Sequence, residues 1–515
     1  MRDLSKNTIR VRYSGFIIFA SQILSLFTGL VFTLLLTRNM SSDEFGAWSF
    51  IFYLIGLFAV MSGLFPFWAT RFVARGKEGT VETAVSANLV VAIIATILYL
   101  PLVSVVLGAL SITSVALAVY LIAALQIVNI YMIAVLEACL RAIRPQATGY
   151  GLLIEEVVKI SVTFAIFLGA KQLFLGAISG IVVGASVQTV FYFWLLKDSF
   201  RQRIHWGYLW EWLKGSTAYI YNVIGGTLAS LGLYLLVFFS GESALGDYQA
   251  AVTFTTIIGY AASIAYGLYP KMLAQECPDD VIASFKYMLM FALPIAIVIL
   301  TMSQSLLTVL NASYSVASPV LVLLTVDALI VLVLQFYTQC LMGTEILDVE
   351  GKITIRQLVR SKIFKVFTLP YMQAAISLPA VYLIFTQTNV AGPVQAAMFV
   401  AGISIIVHAI TFAAIYKLMR REFRLTVAWK SVVKYSFAAL VAAAVLFAIP
   451  QTTTLSTTFG KAIVGLLAYG GFLLAIDAEA RKLVKQIIQE IRSDFHEIYS
   501  NNRKTNNEMS SNPDD

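Results

Sequence analysis

The chain has 515 residues, 59% hydrophobic and only 12% charged, with a mean hydropathy of +0.82; a water-soluble fold carries roughly a quarter charged residues, so that class is excluded. The net charge of +8 would suggest nucleic acid in a soluble protein, but here the basic residues are spread over short loops, and no nucleic-acid partner is expected. Cys139, Cys277 and Cys340 share no metal-ligand spacing, His205, His408 and His496 are scattered, and no phosphate-binding Gly-Lys loop is present, so neither an enzyme nor a bound cofactor or metal is expected.

Long apolar runs in such a chain are spans of a bilayer. Lipid cannot satisfy a bare amide, so spans are helices or closed barrels, and runs of roughly 20 apolar residues fit only helices. In chain order the runs cover 14–37, 47–69, 84–108, 113–138, 148–170, 173–196, 216–239, 246–269, 284–309, 316–342, 364–386, 391–416, 432–449 and 459–477. The first is too long for a signal peptide and lacks a small-residue cleavage site, so it stays as a span. The expected fold is an all-α polytopic membrane protein of about fourteen transmembrane helices.

Orientation follows from the basic loops. All of the 36 Lys and Arg residues except Arg38, Lys171, Lys461 and the embedded Lys159 fall on one side of this threading. That side is the cytoplasm by the positive-inside rule, which puts both termini there in a multi-pass plasma-membrane protein. The segment 197–215 mixes Trp206, Trp210 and Trp212 with basic residues, as an interfacial helix does, and sits midway through the spans. A weak repeat supports two halves: SSDEFGAWSF at 41–50 answers SALGDYQAAVTF at 243–254, and the helices that follow end near Pro66 with Arg71 and Pro270 with Lys271. Such repeats are common in transporters, with the substrate site at the repeat interface. The expected division is a six-helix lobe over 1–205, a pseudo-symmetric six-helix lobe over 206–426, a helix pair over 427–478, and a cytoplasmic amphipathic helix with a disordered tail over 479–515.

Polar groups within the spans are the candidate site residues. Ser14, Ser21, Ser25 and Thr28 share one face of the first span and read as helix-packing groups. The amides Asn88, Asn129 and Asn222 are costlier in lipid and are expected to face a hydrated interior. A charge at a helix centre costs roughly 2.5–3.5 kcal/mol on insertion scales, so Glu155, Glu156 and Lys159 in the fifth span stand out. Glu155 and Lys159 are spaced to pair along one face, either as a packing device or in a cavity, while Glu156 points elsewhere. Asp327 in the tenth span has no basic neighbour on its own helix and reads as functional; His408 in the twelfth reads equally as a satisfied buried histidine.

Several segments resemble the polysaccharide-biosynthesis flippases of the multidrug/oligosaccharidyl-lipid/polysaccharide exporter superfamily: LTRNMSSDEFGAWSF (36–50), ATRFVARGKE (69–78), LRAIRPQATGYGLLIEEVVKI (140–160), LGDYQAAVTF (245–254) and ASYSVASPVLVLL (312–324). The resemblance covers roughly residues 5–450. It implies two lobes around a central cavity that move a polyprenyl-linked oligosaccharide between leaflets by alternating access. Membrane lipid and the glycosyltransferases or polymerase of the same pathway are the implied partners. Cationic residues facing the lipid diphosphate would be Lys159, Arg71 and Lys271. The first lobe departs from the family in carrying a single basic residue, Lys159, inside its spans. A cation-coupled exporter of drugs or metabolites on the same fold, using Glu155, Glu156 or Asp327, is the alternative; a scaffold for glycan assembly is a third reading.

Overall fold

The computed structural model describes residues 11–74, 76–110, 117–144, 146–200, 203–261, 278–343, 361–422, 429–451 and 454–482. Among these the chain is helical between short turns, with no strand. The helices are α1 (Val11–Asn39), α2 (Ser42–Ala59), α3 (Pro66–Ala74), α4 (Thr80–Leu110), α5 (Leu117–Ile143), α6 (Gln146–Ala170), α7 (Leu173–Leu196) and α8 (Trp206–Gly215), then α9 (Thr217–Gly259), α10 (Pro278–Thr301), α11 (Ser303–Leu310), α12 (Ser318–Gly343), α13 (Lys362–Gln387), α14 (Pro393–Glu422), α15 (Trp429–Ala448) and α16 (Leu455–Ile476). Where described, each apolar run of the sequence is mostly helix. Among the described residues, ten helices are long and apolar enough to cross a membrane. Helix α6 falls outside that set because Glu155, Glu156 and Lys159 all lie within it. Lys271, Cys277 and the tail beyond 482 lie outside the described residues.

Local chemistry moves several expected boundaries. Helix α2 starts at Ser42 rather than 47 because Ser41 and Glu44 form a reciprocal capping box. The run expected over 47–69 is broken, and Pro66 opens the separate helix α3; proline is favoured at a first helical position, where its missing N–H is not needed. The run at 284–309 is interrupted at Met302, between α10 and α11. The seventh and eighth runs form one element, α9, whose two arms meet at Gly241 with φ 79° and ψ −178°. That φ lies where glycine is the permissive residue.

Helices α1 to α7 pack mainly on one another, α6 along α7 most closely, with α1 beside α6 and α5 between α4 and α7. A second group joins α9, α12, α13 and α14, and α10 carries α15 and α16. The main seam between the two groups runs between α2 and α9. The periphery is apolar: Leu168, Val190, Leu440 and Phe447 are largely exposed, as lipid-facing side chains are. Trp212 of α8 is buried against Phe65 and Phe72, whereas Trp206 and Trp210 point outward.

Candidate functional site

Midway along α6, Glu156 and Lys159 form a buried ion pair, with 2.7 Å between Nζ and Oε2. This corrects the expected pairing of Lys159 with Glu155. Both spacings lie on one helical face, and the choice is made by α1. Ser25 Oγ donates to Glu156 Oε1 at 2.8 Å and Thr28 Oγ1 to Oε2 at 2.6 Å. Glu156 therefore holds two hydroxyls of α1 and the Lys159 ammonium, which also lies 5.4 Å from the Phe32 ring. Glu155, half-buried, turns toward α7, its Cγ 3.4 Å from where a Cβ on Gly184 would sit. The other side of α6 rests on a glycine ridge of α7. A Cβ on Gly176 would lie 3.0 Å from the Thr163 carbonyl oxygen, one on Gly180 2.6 Å from that of Lys159, and one on Gly184 2.9 Å from that of Glu155. The three glycines let the two backbones meet and press α6 toward α1.

The second group holds a matching pair. Asp327 of α12 and His408 of α14, whose placement the sequence left unlinked, meet at 2.7 Å between Oδ1 and Nδ1. His408 is thus the basic partner that Asp327 lacks on its own helix. Tyr248, in the second arm of α9, lies near Asp327 of α12 and Ser404 of α14. Near the first arm's start, Tyr221 stacks between Phe364 and Tyr371 of α13 at 4.9 and 4.5 Å. The Tyr371 hydroxyl donates to the Tyr221 carbonyl at 2.7 Å. Asn222, one residue on, is half-buried and makes no hydrogen bond through its side chain among the described residues; unlike the enclosed Asn88, whose Oδ1 also lacks a partner, it is placed to meet a ligand.

The other two amides do not face an open interior. Asn88 is fully enclosed; its Nδ2 donates to the Tyr131 carbonyl at 2.6 Å and the Ser62 carbonyl at 3.3 Å. Asn129 is buried between α5 and α7, donating to the Val182 carbonyl at 3.0 Å and to Ser186 at 3.1 Å. Both tie helices of the first group together, because an amide in lipid is stable only when its donors are matched. Arg71 lies on α3, its side chain outside the described set. Sequence reasoning did not single out the glycine ridge, although Gly176, Gly180 and Gly184 recur every fourth residue. It did find the stripe holding Ser25 and Thr28, but read it as packing; its partner Glu156 is remote in sequence. Among the described residues no cluster of three or more His, Cys, Asp or Glu could hold a metal.

No family model matches the sequence, and no curated protein matches it. Solved structures do match. The lipid II flippase MurJ, in an inward closed conformation, aligns over 91% of this chain and 100% of its own at a TM-score of 0.66 and 14% identity. A multidrug resistance MATE transporter of the MOP superfamily, inward-facing, aligns over 78% of this chain and 95% of its own at 0.56 and 13% identity. A MATE protein in complex with MaL6 aligns over 80% and 96% at 0.51 and 14% identity. At such identities the likeness establishes architecture, and this chain is a multi-pass all-α membrane protein with the fold of the MOP-superfamily transporters.

Proposed function

We propose that the protein is a flippase that carries a polyprenyl-linked oligosaccharide across the plasma membrane by alternating access. The observation that carries this reading is the extent of the likeness. Alignment to the lipid II flippase spans 91% of this chain, against 78% for the inward-facing multidrug transporter. A head group of sugars cannot cross hydrocarbon unaided; two helix groups that part on alternate faces give it a polar route while its lipid tail stays in the bilayer. In this reading the lobes are residues 1–205 and 206–426, the helix pair 427–478 stands beside them, and both termini are cytoplasmic, as the basic loops support. Asn222 and the Glu156–Lys159 pair border the route, with Arg71 and Lys271 as further cationic candidates. A clean deletion is expected to leave polyprenyl-linked glycan on the cytoplasmic leaflet and to reduce surface glycan. Unchanged surface glycan in a strain without a redundant relative overturns the assignment.

The second reading, a cation-coupled exporter, is favoured by one observation: the Asp327–His408 pair, an ionisable pair held within the helices at 2.7 Å. Embedded ionisable groups commonly mark ion or proton relays. If it applies, Asp327→Asn abolishes drug or metabolite export in a strain lacking other pumps. Export at the parental rate removes this reading and leaves Asp327 as a structural partner of His408.

A further inference from the structure

At the face reached by the C-terminal end of α1, the two helix groups are joined backbone to backbone by a pair of glycines. Gly46 of α2 and Gly246 of the second arm of α9 occupy reciprocal positions. A Cβ on Gly46 would overlap the carbonyl oxygen of Glu242, and a Cβ on Gly246 would overlap that of Ser42. Each glycine faces the residue four before the other. The repeat seen in the sequence, DEFGAW against SALGDY, is therefore a local two-fold in space. Both helices start on either side of this contact: α2 is fixed by the Ser41–Glu44 capping box, and the second arm of α9 by the bend at Gly241.

Polar contacts surround the crossing and join the same two groups. Arg38 Nε donates to the Val309 carbonyl at 3.0 Å, and Asn311 Nδ2 to the Thr37 carbonyl at 2.9 Å. Phe45 meets Tyr314 edge-on. Deeper along the seam, the Tyr53 hydroxyl reaches Gln249 at 3.1 Å, and the Tyr234 hydroxyl donates to the Tyr53 carbonyl at 2.8 Å. These are a few directed bonds around a contact without side chains. At the two glycines the joint closes to backbone distance with no side chain between them, while the side-chain packing of the seam, such as Phe50 on Tyr234, lies further along it.

We propose that the Gly46–Gly246 crossing is the gate of the outer face, closed in this structure, and that the α2–α9 seam parts there when the protein opens outward. The proposal rests on the alternating-access reading but not on the identity of the substrate. A methyl group at either glycine collides with a main-chain carbonyl, which cannot swing aside, so alanine biases the seam toward the open state.

The test reads accessibility. Thr253, half-buried and one turn below Gln249 on the same face of the arm, is replaced by cysteine in a Cys277→Ser background; Cys139 and Cys340 are buried. Labelling by a membrane-impermeant maleimide added outside is expected to rise about tenfold in Gly46→Ala and in Gly246→Ala, as fits an overpacked contact. Gly29→Ala, where a Cβ meets nothing within 4 Å, is expected to label at the parental rate. A Phe45→Cys, Tyr314→Cys pair, oxidised to a disulfide, is expected to return Gly46→Ala to the slow rate. Parental labelling in both glycine variants, or an equal rise in Gly29→Ala, overturns the gate. If the alanine variants do not fold, the disulfide pair is placed in the parent: slower labelling on oxidation supports the gate, and an unchanged rate overturns it. Since no substrate enters this assay, a failed gate is distinguishable from a failed flippase assignment.

Discussion

Glu156→Gln is expected to destabilise the protein far more than Lys159→Met, although both remove the same ion pair. In the first variant Lys159, 8% exposed, loses the carboxylate at 2.7 Å and is left with the Phe32 ring, a neutral amide and the more distant attraction of Glu155. Breaking a buried pair in this way costs about 3–5 kcal/mol. In the second, Glu156 keeps the Ser25 and Thr28 hydroxyls at 2.8 and 2.6 Å. The double variant Glu156→Gln, Lys159→Met removes both charges of the pair and is expected to recover most of the loss. Thermal unfolding of detergent-purified protein checks this: the order of Tm is parent, double variant, Lys159→Met, Glu156→Gln. Equal melting of the two single variants would mean that the hydroxyls of α1 do nothing for the carboxylate.

Gly180→Val is expected to abolish the folded protein or to cost about 3 kcal/mol or more. The added Cβ would lie 2.6 Å from the Lys159 carbonyl oxygen and would overlap the Thr163 hydroxyl. That hydroxyl already donates to the Lys159 carbonyl at 2.7 Å, so neither group can withdraw. The helices must separate, and α6 then carries Glu156 away from α1. Gly169→Ala, on α6 with nothing near its Cβ, is the matched control, and its yield and melting are expected to equal the parent's or slightly exceed them. Size-exclusion profiles from equal membrane preparations distinguish the two.

The helices were legible in the sequence because the bilayer imposes one rule on every span, and the apolar runs obey it. What depends on one helix meeting another was less legible. Spacing allows Lys159 to pair with either Glu155 or Glu156, and the deciding groups, Ser25 and Thr28, lie on α1. Asp327 and His408 are 81 residues apart, so nothing local joins them. Asn88 and Asn129 looked like cavity groups because amides are costly in lipid; the same cost is met by backbone carbonyls of neighbouring helices. The repeat around Gly46 and Gly246 was visible, yet its meaning required seeing that the two copies touch.

On the face carrying the glycine crossing, three connections are very short. Met40 and Ser41 alone separate α1 from α2, Lys171 and Gln172 alone separate α6 from α7, and the arms of α9 join at Gly241 without a loop. Proteases cut where several residues can unwind into an extended strand, and none of these turns offers that length. Trypsin added on this side is therefore expected to spare Arg38 and Lys171 despite their chemistry, and an epitope inserted at any of these turns would have to force two helices apart to be displayed.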